Sequence, residues 1–342
     1  QSISPSARVS AVVKANAYGL GAEEVVQALQ EKGCTLFFVA TCEEGITLRK
    51  CFPDIEIAIL NGIWTGPLED FIHFNLCPVL NNLYDVTVWR NLAKDRACTL
   101  PAILHVNTGM NRLGMPRSEV GDVTTNLEQA FVGLDIQYVM SHFCSSEDKD
   151  DPENMAQYTR FCELTELFPH MKYSLANSSG IFRDPQYHFD LVRPGMALYG
   201  LNPTPEEVNP MKPVISLEAP VLQVHEARSG ESIGYNCTYQ LSKNEQVATV
   251  CLGYADGLLR TLSNQGALYW NGKKCPILGR VSMDLITVSL QNVQGEWPKP
   301  GDMMEVIGKH QSADDLAKSA GTIGYEVLTS LSTRYRRVYI SS

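Results

Sequence analysis

The stretch that decides the fold is RVSAVVKANAYG (residues 8–19), in which an apolar run ends at Lys14. EEVVQALQE (residues 23–31) follows with apolar positions at helical spacing, and LFFVA (residues 36–40) is a second apolar run. Two short apolar runs on either side of an amphipathic helix predict a β-α-β unit, and Gly33 is a typical residue beyond a helix end.

The same alternation continues to about residue 199. Further apolar runs are interpreted as strands, and a stretch of helical periodicity is interpreted as a helix. The runs occupy residues 55–60, 102–106, 132–140 and 189–192, and the helical stretch occupies residues 153–168. Repeated strand and helix units favour a parallel sheet closed into a (β/α)8 TIM-like barrel.

After about residue 202 the pattern changes to short β-like runs separated by turns. A proline-containing segment at residues 202–213 is interpreted as a linker, and Asn271-Gly272 is a hairpin signal. The apolar runs lie at residues 221–224, 246–251, 267–270 and 285–288. We therefore predict an α/β protein of two domains, an α/β barrel at residues 1–208 and a mainly-β domain at residues 209–342.

The composition argues against several classes of protein. A net charge of −10 over 342 residues disfavours a nucleic-acid partner, because phosphate backbones are bound by an excess of Lys and Arg. No apolar run approaches the roughly 20 residues that span a bilayer, so we expect a cytoplasmic protein with no membrane partner. The ten cysteines contain no C-x-x-C pair, which predicts reduced thiols and no metal site. The chain starts at Gln1, so N-terminal sequence is expected to be missing.

Lys14 stands at the carboxyl end of the first predicted strand, and in parallel barrels that end carries the active site. A lysine there can form a Schiff base when burial or a nearby cation lowers its pKa toward neutrality. From position alone, a rim lysine whose ammonium group reaches solvent is the commoner interpretation.

The surroundings of Lys14 favour the catalytic interpretation. VVKANAYG (residues 12–19) resembles the lysine motif of the alanine racemase family of pyridoxal-phosphate (PLP) enzymes. Seven further segments resemble family motifs and occur in the expected order. They are HVNTGMNRLG (residues 105–114), SHF (141–143), NSSG (177–180), RPGMALYG (193–200), GYNCTY (234–239), GYADG (253–257) and GRVSMD (279–284). The resemblance covers nearly the whole chain, so chance is an implausible explanation.

The resemblance implies a racemase of a small amino acid, with alanine as the expected substrate. Lys14 would hold PLP as an internal aldimine and then act as the base on one face, and Tyr235 of the partner subunit would act on the opposite face. Two opposed bases are what inversion at a Cα requires, and they imply a homodimer with shared active sites. Because a tyrosine with an ordinary pKa near 10 is a poor base at neutral pH, a polar chain through His142 and Arg193 is expected to lower the pKa of Tyr235.

The resemblance also implies ligands for the cofactor and the substrate. Arg193 would face the pyridine nitrogen, where a permanent cation disfavours protonation of the ring and thereby restricts the chemistry to proton exchange. Arg112 would bind the cofactor's phenolic oxygen or the substrate carboxylate, and Met283 of the partner subunit would approach the same carboxylate. Asp284 is expected only to orient its neighbours. The implied cofactor-binding residues are Lys14, Tyr18, His142, Asn177, Ser178, Arg193, Gly195 and Met196, of which Tyr18, Ser178 and the amides around Gly195 and Met196 would hold the phosphate.

The sequence departs from the family in three ways. Many members carry, at the position of His105, a carbamylated lysine that braces the arginine matching Arg112, and an aspartate is frequent where Asn107 stands. With both negative groups missing, we hypothesise that a small anion such as chloride binds Arg112 and Asn107. Thr333 stands where some members place an active-site tyrosine, which predicts a larger substrate pocket unless Tyr335 replaces it. Family members also have a strand and a helix before the lysine strand, which are expected to be missing here.

Three alternatives remain open. An apolar pocket rejects one added hydroxyl only about a hundredfold, so a serine or broader-specificity amino-acid racemase is one of them. PLP-dependent barrel decarboxylases have a glycine-run phosphate loop, and no Gly-Gly-Gly occurs here. A non-catalytic PLP carrier would need the barrel alone, so the second predicted domain and Tyr235 argue against it. In bacteria, D-alanine made by the favoured activity would supply peptidoglycan synthesis for the cell wall.

Overall fold

The computed structural model describes residues 3–4 and 6–340, which form two compact units. The first unit contains the described residues up to 17 together with residues 21–198 and 202–210. The second contains residues 18–20, 199–201 and the described residues from 211 onward. The domain boundary between residues 208 and 209 stays a prediction.

The first unit is built on parallel strands. They are β1 (Arg8–Val9), β2 (Ala11–Val12), β3 (Leu36–Val39), β4 (Glu56–Ile59), β5 (Cys77–Leu80), β6 (Leu100–His105), β7 (Leu134–Met140), β8 (Tyr173–Ser174) and β9 (Leu191–Val192). Strands β2 to β8 pair in chain order in one sheet, and β1 pairs with β9. Because only Ser10 separates β1 from β2, the two act as one strand that joins β9 to the sheet.

Hydrogen bonds on the other side of β9 complete the ring of strands. The amide of Asp190 donates to the carbonyl of Tyr173 (3.0 Å), and the amide of Arg193 donates to the carbonyl of Ala176 (3.0 Å). The predicted (β/α)8-type barrel is therefore confirmed. Its core is a cluster of apolar side chains from the strands: Leu36, Phe38, Ala58, Val79, Ile103, Tyr138, Met140 and Leu191. Strands of such a barrel are buried on both faces, which explains why the sequence shows continuous apolar runs.

Helices cover the strands of this unit. The short element α1 (Lys14–Tyr18) is a turn with left-handed φ values, and the helices are α2 (Ala22–Gln30), α3 (Cys42–Cys51), α4 (Leu68–His73), α5 (Leu83–Asp95), α6 (Arg117–Thr124), α7 (Leu127–Ala130), α8 (Glu153–Thr165) and α9 (Ser178–Arg183). Thr41 and Glu44 form a capping box at the start of α3, and the side chains of Asn82 and Asn177 cap α5 and α9. These side chains accept amide hydrogens that the first helical turn leaves unpaired.

The second unit is centred on a closed antiparallel barrel, which confirms the predicted mainly-β region. Its strands are β10 (Leu217–Ala227), β11 (Ser232–Ile233), β12 (Tyr239–Gln240), β13 (Glu245–Cys251), β14 (Ala267–Trp270), β15 (Lys273–Leu278), β16 (Leu285–Ser289) and β17 (Met303–Ile307), followed by α10 (Ala313–Ala320) and α11 (Gly324–Thr329). The barrel has the order β10-β13-β16-β15-β14-β17, and β11 pairs with β12 separately.

The predicted hairpin joins β14 to β15. Asn271 and Gly272 have φ values of 46° and 75°, the left-handed pair that a two-residue hairpin of matching twist requires. Of the described residues, no helix combines the length and the apolar character that crossing a bilayer would need.

Candidate functional site

The predicted site residues of the first unit lie at the carboxyl ends of its strands. Lys14 follows β2, His105 ends β6, His142 follows β7 and Arg193 follows β9. Since parallel strands of a barrel end at one face, the fold brings these residues to the same face despite their separation in sequence.

Lys14 is followed by a backbone turn of the less common hand. Ala15, Asn16 and Ala17 have φ values of 52°, 54° and 51°, and Tyr18 has a φ of 55°. Residues other than glycine seldom adopt this left-handed conformation, because Cβ then crowds the following carbonyl. Interactions elsewhere in the fold must therefore hold the turn.

The amine of Lys14 is shifted toward its neutral form. Burial lowers its pKa, the charge of Arg112 lowers the pKa further, and the carboxylate of Glu44 opposes both. A larger neutral fraction is what a lysine needs to attack a carbonyl carbon or to accept a proton.

Arg193 is a cation, 3% exposed, whose partners are all neutral acceptors. Its terminal nitrogens donate to the hydroxyl of Ser174, to the carbonyls of Ser141 (2.5 Å) and Leu175 (3.3 Å), and more weakly to Nδ1 of His142 (3.4 Å). Burial lowers the pKa of the guanidinium to about 10, which leaves it charged at neutral pH. Its Nε–H has no acceptor among the described residues, so this donor fits an unprotonated ring nitrogen.

Ser178, 4% exposed, has a hydroxyl whose acceptor capacity is filled. Its Oγ accepts hydrogen bonds from the amides of Gly195 (2.9 Å) and Ala197 (3.3 Å). A hydroxyl has two lone pairs and one proton, and the proton finds no acceptor among the residues described. This donor fits an anionic oxygen such as that of a phosphate group.

The contact between His142 and Arg193 determines where the imidazole proton lies. Because Nδ1 accepts from Arg193, the neutral ring carries its proton on Nε2. Burial lowers the pKa of His142 well below its usual value, and Arg193 and Arg112 lower the pKa further. His142 is therefore neutral at physiological pH, with an Nε2–H that no side chain in the described part of the chain accepts.

His105 is also a neutral histidine, in the opposite tautomer. Its Nδ1 lies 2.8 Å from Oδ1 of Asn81, whose Nδ2 donates to the carbonyl of Val79 (3.0 Å). This orientation of the amide makes Oδ1 an acceptor, so the imidazole proton lies on Nδ1 and Nε2 keeps a lone pair. Burial, then Arg193 and Arg112, lower the pKa of His105 to about 3. The residue thus offers a neutral acceptor where many family members have a negative group.

Asn107 shapes the loop that carries Arg112. Its Oδ1 accepts from the amides of Gly109 (2.9 Å) and Asn111 (3.2 Å), and its Nδ2 donates to Oδ1 of Asn111 (2.8 Å). An aspartate at this position could accept the same two hydrogen bonds, whereas only the amide of Asn107 can donate one to Asn111. Arg112 is exposed and has no hydrogen-bond or ion-pair partner among the described residues. An anion bound by Arg112 and Asn107 stays a prediction.

Asn177 has a structural role in addition to its predicted one. Its Oδ1 accepts from the amide of Gly180 (2.9 Å) and from the hydroxyl of Ser146 (2.8 Å). These bonds cap α9 and thereby fix the neighbouring Ser178. Gly195 and Met196 follow Arg193 and Pro194, in the segment that Ser178 holds.

Comparison with known proteins gives the same family along the whole chain. The family model described as alanine racemase, N-terminal domain, matches residues 1–203, and the one described as alanine racemase, C-terminal domain, matches residues 214–339. The alanine racemase of Rickettsia akari is 44% identical over 341 residues, which is 99% of this chain and 94% of the relative. The chain belongs to the alanine racemase family.

Solved structures of the alanine racemase family have the same fold. A crystal structure of alanine racemase from Bartonella henselae with covalently bound pyridoxal phosphate has a TM-score of 0.95 and 39% identity, covering 99% of this chain and 94% of that one. Alanine racemase from Streptomyces coelicolor has a TM-score of 0.93 and 30% identity, covering all of this chain and 94% of that one.

Two residues that the alanine racemase resemblance assigns to the site lie on the surface of the second unit. Tyr235 is 70% exposed and Met283 is 53% exposed. The next residue, Asp284, forms an ion pair with Arg334 (2.8 Å), which also pairs with Asp256 (3.2 Å). Asp284 therefore braces the loop that presents Met283.

Tyr18, the predicted phosphate ligand, lies in an aromatic cluster of the second unit. Its ring centroid is 4.6 Å from that of Tyr199 and 5.9 Å from that of Tyr325. Burial raises the pKa of Tyr18 to about 12, so its phenol stays protonated and can act as a donor.

Tyr335 is enclosed within the second unit. Its ring lines an apolar cavity together with Leu252, Leu258 and Leu331, and its buried hydroxyl has no hydrogen-bond partner among residues 3–4 and 6–340. Burial raises the pKa of Tyr335, and Asp256 raises the pKa further. The hydroxyl is therefore not presented at the surface of this unit, whereas Thr333 is exposed.

Two residues of the site carried no signal in the sequence. Glu44 was not distinguishable from other glutamates at helix starts, and its contact with the turn after Lys14 depends on the fold. Gln157 on α8 is fully buried, where it donates to Oγ1 of Thr108 (3.2 Å) and to the carbonyl of His142 (3.0 Å). For Gln157, the one signal available in the sequence was a polar residue within the amphipathic pattern of α8.

Proposed function

We propose that this chain interconverts L-alanine and D-alanine with pyridoxal 5′-phosphate as its cofactor, by proton transfer between two bases. The observation that carries the proposal is the donor set at one face of the first unit. There, a lysine with a lowered pKa is accompanied by an unused hydroxyl donor on Ser178 and an unused Nε–H on Arg193. The donors fit a phosphate and an unprotonated pyridine nitrogen, respectively.

The residues that would hold the cofactor are those implied by the family. When bound, PLP withdraws electrons from an amino acid and makes its Cα proton acidic. The covalently bound pyridoxal phosphate of the Bartonella henselae enzyme supports the assignment, and Lys14 is the residue that would hold it here. The full set is Lys14, Tyr18, His142, Asn177, Ser178, Arg193, Gly195 and Met196.

Lys14 and Tyr235 are proposed as the two bases. Lys14 would take or return the Cα proton on one side of the substrate, and its lowered pKa raises the fraction able to do so. Tyr235 would act on the other side, with the Nε2–H of His142 stabilising its phenolate oxygen by a hydrogen bond. A chain of hydrogen bonds would then connect the phenolate oxygen through His142 to Arg193.

The exposure of Tyr235 supports a homodimer with shared active sites. A base that is 70% exposed on its own subunit is free to enter a site on another. Met283, 53% exposed on the same unit, would accompany it toward the substrate carboxylate, which Arg112 would bind from within the subunit. The cytoplasmic location and the supply of D-alanine for peptidoglycan synthesis also stay predictions.

Racemisation of serine is a second candidate. Thr333 is exposed and smaller than the tyrosine that some family members place there, so a hydroxymethyl side chain has more room. Discrimination of the two amino acids would be modest in any case, because an apolar pocket rejects an added hydroxyl only about a hundredfold.

Circular dichroism of L-alanine incubated with the PLP-loaded protein tests the proposal, with L-serine in parallel. Decay of the signal to zero with alanine supports it, and equal decay with serine would favour the second candidate. Lys14→Ala should abolish both. No decay with either amino acid would contradict the racemase and favour the non-catalytic carrier.

The two-base role has its own test in deuterated water. Tyr235→Phe should still exchange the Cα proton of one enantiomer but should not invert it, because one base remains. Tyr84→Phe, which changes a tyrosine that is 65% exposed on α5, is the matched control and should invert alanine normally. Normal inversion by Tyr235→Phe would exclude Tyr235 as a base.

A further inference from the structure

Glu44 connects the start of α3 to the turn that follows Lys14. Its Oε2 accepts from the amides of Ala40 (2.7 Å) and Thr41 (3.4 Å), which completes the capping box. Its Oε1 accepts from the amide of Ala15 (2.7 Å). A helix cap needs only the first set of bonds, so the bond to Ala15 serves a different segment.

The turn after Lys14 needs an external support. Ala15 and Ala17 are left-handed alanines, and their side chains have no polar group that could stabilise this conformation. The far end of the turn is held by Asn16, whose backbone carbonyl accepts from the amide of Gly21 (3.0 Å) and whose Oδ1 accepts from the amide of Ala22 (2.9 Å). The near end, next to Lys14, is held by a backbone bond from the amide of Ala17 to the carbonyl of Val13 (2.8 Å) and, from outside the turn, by the carboxylate of Glu44.

We propose that Glu44 is a positioning residue for Lys14, acting through the backbone amide of Ala15. The inference rests on the proposed function for the catalytic role of Lys14. Because Ala15 directly follows Lys14, fixing its amide fixes the peptide plane from which the lysine side chain departs. A charged acceptor gives the stronger type of hydrogen bond, which suits a strained turn.

Glu44 also acts on the charge of Lys14. Arg112 is the cation that lowers the pKa of Lys14 after burial, and Glu44 is the carboxylate that opposes it. Loss of the Glu44 charge should therefore lower the pKa of Lys14 and enlarge its neutral fraction. The pKa of the lysine would fall while its placement for the substrate worsens. General destabilisation would instead raise this pKa, because opening the site removes the burial that lowers it.

The test compares Glu44→Gln with Asp315→Asn in the full chain. Glutamine keeps the length of the side chain but loses the charge and places an NH2 group against an amide donor. Asp315 is the matched control, because its Oδ2 accepts from the amide (2.9 Å) and hydroxyl (2.7 Å) of Ser312 in the capping box of α10. Both variants lose a capping carboxylate, and only the first loses a bond to the segment after Lys14.

Two readouts do not depend on racemisation. Hydrogen–deuterium exchange of the PLP-loaded protein reports opening of residues 13–22. Glu44→Gln should raise the exchange rate of these amides about tenfold or more, because a charge-assisted hydrogen bond is lost. Reductive methylation of Lys14 in the cofactor-free chain, followed against pH by mass spectrometry, reports its pKa. The profile should shift to lower pH in Glu44→Gln and stay in place in Asp315→Asn.

Alanine turnover completes the comparison. Glu44→Gln should lose about tenfold or more in kcat, because a small misplacement of a reacting group is costly, and Asp315→Asn should keep its kcat. Exchange and methylation profiles of Glu44→Gln that match the parent would overturn the inference. If the profiles shift as expected and the parent racemises no amino acid, the proposed function fails and the support of Lys14 by Glu44 stands.

Discussion

Removal of the Ser178 hydroxyl is the perturbation that tests the assignment of the phosphate site. In Ser178→Ala the amides of Gly195 and Ala197 lose their shared acceptor, and the one free proton of the hydroxyl is lost as well. Hydrogen bonds to a charged group contribute about 1.5–3 kcal/mol, and each 1.4 kcal/mol is about tenfold in affinity. The variant should therefore bind PLP about ten- to a hundredfold more weakly than the parent.

The assay is a titration of the cofactor-free protein with PLP, followed by the visible absorbance of the bound cofactor. Ser289→Ala is the matched control, because this buried hydroxyl donates to Oε2 of Glu245 (2.8 Å) and accepts from the amide of Gln291 (3.3 Å). Both variants should lose thermal stability by comparable amounts, and only Ser178→Ala should lose PLP affinity. Equal PLP affinity in Ser178→Ala and the parent would refute the assignment and leave Ser178 as a structural residue.

Three further predictions concern residues that support the site. Gln157→Met removes two donor bonds and the bond that Oε1 accepts from the amide of Cys144 (2.9 Å), and it should lower kcat/KM for alanine about tenfold. Gln311→Met removes two donor bonds to carbonyls of the second unit, so it should lose thermal stability as well but keep kcat/KM. An equal loss of kcat/KM in the two variants would contradict a role of Gln157 in the site. Arg334→Met should raise KM for alanine by no more than about fivefold, since exposed ion pairs contribute little. An unchanged KM would show that the loop does not need these ion pairs. His105 has a pKa of about 3 in the folded chain and 6.5 in the unfolded chain, so the unfolded chain takes up the proton first as the pH falls. The free energy of unfolding should therefore decrease by about 1.4 kcal/mol per pH unit below pH 6.5. Between pH 7 and pH 5, chemical unfolding should show a decrease in this free energy that is about 2 kcal/mol smaller in His105→Asn than in the parent, and an equal decrease would disprove the buried neutral histidine.

Local patterns were sufficient to predict most of the fold. The β-α-β unit around Lys14 and the Asn271-Gly272 hairpin follow from periodicity and turn chemistry, which act over a few residues. The strand β5 (Cys77–Leu80) was missed, because it is short and contains Pro78. The predicted helix at residues 153–168 ends as α8 at Thr165, since helix ends depend on local hydrogen bonds that the pattern does not reveal.

The candidate site was only partly predictable, and the missing part is its supporting contacts. Motifs indicated Lys14 and Arg193, but no sequence rule predicts that two alanines after Lys14 adopt left-handed φ values. The long-range pairing of Glu44 with Ala15 and that of Gln157 with Thr108 are equally hidden, because each joins segments that only the barrel brings together. Support of this kind is set by tertiary packing, so it becomes visible only in the folded chain.

The electrostatics of the site depend on Arg193, which has no carboxylate partner in the described part of the chain. Its hydrogen bonds go to one hydroxyl, two carbonyls and one imidazole nitrogen, so its charge is solvated by dipoles and is not cancelled. Burial is the main cause of the low pKa of His142 and of His105, and the uncancelled charge of Arg193 lowers both pKa values further, so both rings are neutral. The same charge would disfavour a proton on a ring nitrogen placed against Nε, which weakens electron withdrawal and restricts the chemistry to proton exchange. A carboxylate at this position would instead favour protonated rings, so the arginine adds to the effect of burial on the two histidines and supports the proposed reaction specificity.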